Sequence, residues 1–161
     1  MGEDFLEDYE QQSISRKIKT YVSFNKGGEW SLVSAPSSDS KGAPISCRQE
    51  HGCSLHFHSV STQNNIAPLY SFESAPGLII ANGNVGPHLD SREPAMNTYL
   101  SRDGGKNWFE IAKGSHVYEF GNNGALIVMA PDMNPTKHVL YSWDEGLTWD
   151  FETISSEDVV V

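Results

Sequence analysis

Apolar and polar residues alternate in short runs along this chain, and no segment sustains a helical period. Residues 18–24 alternate as a strand, and 30–33 read as the next one. Ser, Pro, Gly and Asp crowd residues 34–52, which reads as a surface loop. Residues 53–60 form a further strand, with Leu55 and Phe57 on one face and His56 and His58 on the other. A loop over 61–76 leads to 77–83, a nearly continuous apolar run expected of a strand buried on both faces. After a loop at 84–94, strands are expected at 97–100 and 108–111. The order then repeats: a strand at 116–120, a turn at 121–124, a buried strand at 125–130, and strands at 138–141 and 149–154. Residues 1–17 read as an acidic, disordered lead-in, and 155–161 as a tail or the start of another strand.

Three of the turns between these strands share one octet, Ser-x-Asp/Asn-x-Gly-x-x-Trp. It is built on Ser23, Asn25, Gly27 and Trp30; on Ser101, Asp103, Gly105 and Trp108; and on Ser142, Asp144, Gly146 and Trp149. The residue types suit a hairpin of the Asp-box type. The Asp or Asn side chain accepts hydrogen bonds from its own turn, and Gly takes a positive φ where a Cβ would clash. The Trp starts the outgoing strand and buries its ring beneath the turn. Ser101 and Ser142 lie 41 positions apart (142 − 101), about one four-stranded propeller blade. Ser23 and Ser101 lie 78 apart (101 − 23), which reads as one blade enlarged by loops. The expected fold is all-β: a section of a β-propeller with about two complete blades and half of a third. One blade cannot bury both its faces, so a ring needs several more.

Composition narrows the functional classes. The chain has 161 residues and a formal net charge of -10. Such acidity argues against nucleic acid as a partner, because neutralising phosphates needs a basic face. No run approaches the ~18 apolar residues of a membrane span, and residues 1–10 lack the basic start and apolar core of an export signal. No Asn-x-Ser/Thr acceptor occurs, since Pro135 disqualifies Asn134. Cys47 and Cys53 flank a short polar turn. They can close a disulfide in an oxidising compartment; in a reducing one they would be free thiols or, with His56 and His58, a candidate zinc set.

Box turns of this kind occur in sialidases, in other sugar-acting propellers and in sortilin-type receptors. The stretch from Cys47 through Cys53-Ser54-Leu55-His56-Phe57-His58 distinguishes them, together with the run from Gly77 to Gly86 and the second and third octets. These segments closely resemble the luminal domain of the sortilin family of vacuolar sorting receptors, over about residues 18–154. That resemblance implies a ten-bladed propeller followed by cysteine-rich modules, a membrane span and a cytosolic sorting tail, most of which lie outside these 161 residues. It implies binding of soluble cargo proteins or peptides, such as hydrolases and propeptides, and their carriage from Golgi to endosome, vacuole or lysosome. It favours a Cys47–Cys53 disulfide over zinc, with His56 and His58 as surface histidines of a strand. Because such receptors release cargo in acidic endosomes, these two histidines become pH-sensing candidates. The octet residues are expected to be structural.

No catalytic residue, cofactor or metal is expected. A sialidase needs three arginines converging on a carboxylate, and Arg16, Arg48, Arg92 and Arg102 do not suggest a trio. No nucleophile elbow surrounds any Ser. The alternatives are a sialidase-like sugar-binding or sugar-cleaving propeller fragment, and an orphan blade fragment without independent function. Membrane attachment would come only through regions outside this chain.

Overall fold

In the computed structural model, which describes residues 17–58, 69–90, 92, 95–132 and 134–159, the alternating runs become short antiparallel strands. β1 (Tyr21–Val22) and β2 (Ser31–Leu32) form a hairpin. β3 (Ser54–Phe57), β5 (Ile79–Gly86), β6 (Asn97–Ser101) and β7 (Phe109–Lys113) form a second sheet in that order, with β4 (Tyr70–Ser71) also paired to β5. β8 (His116–Gly121), β9 (Leu126–Pro131), β10 (His138–Ser142) and β11 (Asp150–Thr153) form a third. Every pairing is antiparallel, and 3-10 turns stand at Gln49–His51 and Asn122–Gly124. This is an all-β chain consistent with a section of a β-propeller.

The core lies between sheets, not within one. Strand side chains alternate between faces, so adjacent residues serve different interfaces. Tyr99 joins Val33, Leu55, Phe57, Ala81 and Trp108 in a cluster against the first hairpin. Its neighbour Leu100 joins Leu78, Ile80, Phe120 and Ile127 in a cluster between the second and third sheets. Phe57 lies 4.3 Å from Trp108, ring centre to ring centre. Complete burial of Leu55, Ile80, Tyr99, Leu100 and Ile127 supplies the apolar area that stabilises such a stack, roughly 1.5–3 kcal/mol for each large side chain.

Several expectations need correction. Residues 61–76 are not all loop, because Tyr70–Ser71 pair with Ile79–Ile80 of β5; residues 61–68 lie outside the described residues. β5 runs on to Gly86, past the expected end at 83, because β3 pairs with residues 83–86 while β4 pairs with the strand's start. The two-stage inner pairing demands eight residues where one short partner would demand four. In the stretch read as a tail or the start of another strand, Val159 bridges to Thr136 with hydrogen bonds of 2.8 and 2.9 Å. The lead-in expected over 1–17 lies, except for Lys17, outside the described residues, as do residues 160–161.

Gly83 marks the tightest approach in the second sheet. A Cβ there would stand 2.0 Å from the His56 carbonyl oxygen. Gly83→Ala is expected to destabilise the chain by about 3 kcal/mol or more, through overpacking against backbone that cannot yield. Urea unfolding checks this, with Gly42→Ala as a comparison for a positive-φ glycine in open space.

Candidate functional site

The three octets use one hydrogen-bond scheme. The hydroxyl of Ser23, Ser101 or Ser142 donates to Oδ1 of Asn25, Asp103 or Asp144, at 3.0, 2.9 and 2.7 Å. The same hydroxyl accepts from the amide of Gly27, Gly105 or Gly146, at 2.8, 2.9 and 2.8 Å. Oδ1 accepts from the amide four residues on, Glu29, Asn107 or Thr148, at 2.8 Å each time. The indole Nε1 of Trp30, Trp108 or Trp149 donates to the carbonyl of the octet glycine, at 3.1, 2.9 and 3.1 Å. That glycine has φ of +86°, +90° or +76°, a conformation L side chains rarely adopt. In the second and third octets Asn107 Nδ2 and Thr148 Oγ1 also donate to the second carboxylate oxygen. Hydrogen bonds from Thr148 hold the Asp144 carboxyl down at about 2, and those from Asn107 lower that of Asp103. The octet oxygens are thus turned onto their own turns and not toward a ligand.

The second octet also grips the third. Arg102 donates from Nε to the Glu145 carbonyl and from Nη2 to the Gly146 carbonyl, both at 2.6 Å. Its guanidinium sits 4.9 Å from the centre of the Phe109 ring, within cation–π range. Beside this contact a cleft of about 290 Å³ opens between the 36–40 loop, β7 and the third octet, lined by Asp39, Phe109, Glu110, Leu147 and Trp149 among others. Its polar wall is internally paired. Ser40 donates twice to Glu110, and Lys113 bridges Asp39 at 3.0 Å and Glu110 at 2.6 Å.

Cys47 and Cys53 are joined by a disulfide with Cα atoms 5.3 Å apart. It closes a loop whose Gln49 donates to the Leu32 carbonyl and to Ser34 Oγ, so the loop clasps the end of β2. Both thiols are consumed, and among the described residues no group of three or more His, Cys, Asp or Glu is placed to hold a metal. The reading of His56 and His58 as surface histidines is wrong. They are 0% and 1% exposed: the Thr20 amide and the Gly86 carbonyl meet the His56 ring, and Asp90 stands by His58, on the face that alternation assigned to solvent. His56 Nδ1 accepts from the Thr20 amide at 3.0 Å, while Nε2 faces Ser54 Oγ and the Gly86 carbonyl. Only the neutral tautomer with hydrogen on Nε2 fits, since a proton on Nδ1 would oppose the Thr20 N–H. Burial, with smaller repulsion from Lys19 and His88, pushes His56 below its usual range against the pull of the Gly86 carbonyl. Burial likewise lowers His58, against the Asp90 backbone and carboxylate.

A family model described as "Sortilin, neurotensin receptor 3" matches residues 4–161. The chain belongs to the sortilin–Vps10 family. Vacuolar protein sorting/targeting protein 10 of Paracoccidioides brasiliensis strain Pb18 is 40% identical over 144 residues, covering 86% of this chain and 10% of the relative. The protein of that name from Aspergillus clavatus is 38% identical over 154 residues, covering 92% and 10%. That of Ajellomyces capsulatus strain H143 is 39% identical over 148 residues, covering 88% and 10%. The chain spans about a tenth of the length of these curated relatives.

In this sortilin-family segment, sequence reasoning missed the polar joint around His116. Thr98 Oγ1 lies 2.9 Å from His116 Nδ1, and Asn82 bonds both the amide and the carbonyl of His116. Burial pushes the His116 imidazole down, against the Gly114 carbonyl and Asp132. A signal existed: Thr20 and Thr98 both stand three residues before an octet Ser, and both reach the first strand of the following sheet. Val139 holds that position in the third octet.

Two expectations follow from the geometry. Ser101→Ala and Ser142→Ala each orphan a buried glycine amide and are expected to destabilise by about 1–2 kcal/mol, read by chemical denaturation. His56, His58 and His116 are all lowered on folding, so the unfolded chain binds more protons in the window below the unfolded histidine value of about 6.5. Stability should therefore be full above that value and decline as pH falls through it. His56→Gln should flatten the dependence of the melting temperature on pH, and an unchanged slope would contradict this assignment.

Proposed function

We propose that this chain is a ligand-binding portion of the luminal propeller of a sortilin-type sorting receptor, one that carries soluble cargo proteins from Golgi to endosome, vacuole or lysosome without catalysis. The observation that carries the reading is the family match along nearly the whole chain, joined to relatives named for vacuolar sorting and targeting. On this reading residues 18–154 are propeller. The second and third sheets are consecutive blades, and the β1–β2 hairpin is the outer half of a preceding one. The octets are Asp-box scaffold, since their polar atoms are engaged within their own turns. Membrane attachment would come from other parts of a longer protein; among the described residues no helix is long and apolar enough to cross a membrane.

His56 and His58 act in this proposal as buried pH-sensitive joints, not as ligand contacts. The disposition of the arginines favours a receptor over a sialidase. Arg102 is engaged with backbone carbonyls, Arg92 with Asp90 and Arg48 with Glu50, while Arg16 lies outside the described residues.

A chimera tests the reading. This chain would replace the matching tenth of the Aspergillus clavatus relative in cells lacking that protein, and secretion of soluble vacuolar hydrolases would be measured. Retention of the hydrolases is expected. Their secretion, from a chimera that is stable and reaches the same compartments, would overturn the proposal.

A further inference from the structure

β7 ends the second sheet: β6 pairs with one side of it, and among the described residues no strand pairs with the other. An open strand edge offers unpaired backbone groups to any other extended chain, and proteins blunt such edges with charge, bulges or cover. The third sheet ends in the same way at β11. Counting from the octet Trp, Phe109, Glu110 and Ile111 of β7 match Asp150, Phe151 and Glu152 of β11. β11 is exposed throughout and carries its own charge in Asp150 and Glu152. In β7 the matching residues are Phe109 and Ile111, and the one acid, Glu110, is buried and paired with Lys113. A bulge helps, since Thr98 meets Ala112 and Tyr99 meets Glu110, leaving Ile111 with no residue opposite.

The remaining protection is cover, from a small hairpin between β2 and the disulfide loop. Ser38 bridges Pro44, the Ile45 amide donates to the Ser37 carbonyl at 2.9 Å, and the Asp39 amide donates to the Ala43 carbonyl at 2.8 Å. Asp39 Oδ1 accepts from the amides of Lys41 and Ala43, at 2.9 and 2.8 Å. Residues 37–45 therefore hold their own shape. Their tip is fastened to β7 by polar groups. Glu110 Oε1 accepts from the Ser40 amide at 3.2 Å, the Ser40 hydroxyl at 3.1 Å and Lys113 Nζ at 2.6 Å, and Lys113 also meets Asp39 at 3.0 Å. Glu110 Oε2 accepts from Asn97 Nδ2 at 3.0 Å, which ties the same carboxylate to β6. Residues 37–45 stand in neither apolar cluster that joins the sheets. Releasing them would leave the core intact.

The cleft beside Arg102 shows where this hairpin lies. The cleft touches Trp108, Phe109, Glu110 and Ile111 in succession. Neighbours along a strand point to opposite faces, so a hollow that meets four in a row runs along the edge of β7 and not over one face. The hairpin supplies one wall, and Leu147 and Trp149 of the third octet supply the other.

We infer that residues 37–45 are an edge guard: a hairpin latched on Glu110 that opens and closes as a unit and, when shut, keeps β7 of a second copy of this chain from pairing with the outer edge of β7. The inference rests on contacts within the chain and stands apart from the cargo reading. Glu110 is the latch because hairpin, β6 and Lys113 all meet on its one carboxylate. Lys113 offsets the charge that burial of that carboxylate would otherwise leave alone.

Amide hydrogen exchange and thioflavin-detected assembly of the purified 161-residue chain test it, on Glu110→Gln and on Lys113→Met. Lys113 is half-exposed, so its variant keeps the test open if Glu110→Gln does not fold. The amides of Asp39, Gly42 and Ile45 are expected to exchange about tenfold faster in step with one another, while those of β9 keep the wild-type rate. Assembly should accelerate about tenfold in the same variants. Adding Phe109→Asp, which gives β7 the residue that β11 has at that place, should return it to the wild-type rate. Any of four results in folded variants overturns the inference: guard amides as protected as before; exchange that rises equally in β9; a guard that opens with no gain in assembly; or a gain that survives Phe109→Asp.

Discussion

Leu100 approaches the turn of the next sheet so closely that a Cβ on Gly146 would stand 2.4 Å from its Cδ2. At the same place Arg102 reaches across to two carbonyls of that turn. This seating of one sheet on the next is what the remaining structure depends on. A four-stranded sheet of such short strands buries little apolar surface within itself, and here the fully buried side chains point into the gaps between sheets. The octet serves that constraint. Its serine, carboxylate or amide, glycine and indole satisfy one another, which fixes a rigid turn at the end of each outer strand pair and leaves the indole ring free to fill the interface. The same indole is buried at Trp108, packed with Val33 and Phe57, and exposed at Trp30, against which none of the described sheets packs.

Polar joints fix the relative placement of neighbouring sheets. Apolar packing alone is non-directional; a buried imidazole that must accept from one amide and donate to one carbonyl is not. His56 supplies that directionality at the first junction, its Nδ1 accepting from the Thr20 amide; at the second, Asn82 holds the His116 backbone and Thr98 Oγ1 meets its Nδ1. The disulfide closes a loop whose Gln49 hydrogen-bonds to the Leu32 carbonyl at the end of β2, a further tie at the first junction.

Much of this could be read in the chain. The octets recur with fixed chemistry, so the turns, the strands flanking them and the all-β class follow directly. Alternation placed Leu55 and Phe57 correctly on one face. It failed for His56 and His58 because periodicity says which residues share a face, not whether another segment covers it. It failed for β4 because two residues hold no period. The link from Thr98 to His116 joins residues eighteen positions apart, and only the sheet stacking brings them together. Arg102 read as one more polar residue inside a box, since nothing in an octet announces that its second side chain will cross to the next turn.

If the octets are scaffold that couples neighbouring sheets, damage to one must be felt in the next. Amide hydrogen exchange on Arg102→Ala measures this directly. The account predicts faster exchange at Gly146, Leu147 and Thr148 in the third octet, 44 to 46 positions away in sequence, as well as around residue 102. Exchange altered only in the second octet, with the third as protected as before, would contradict it.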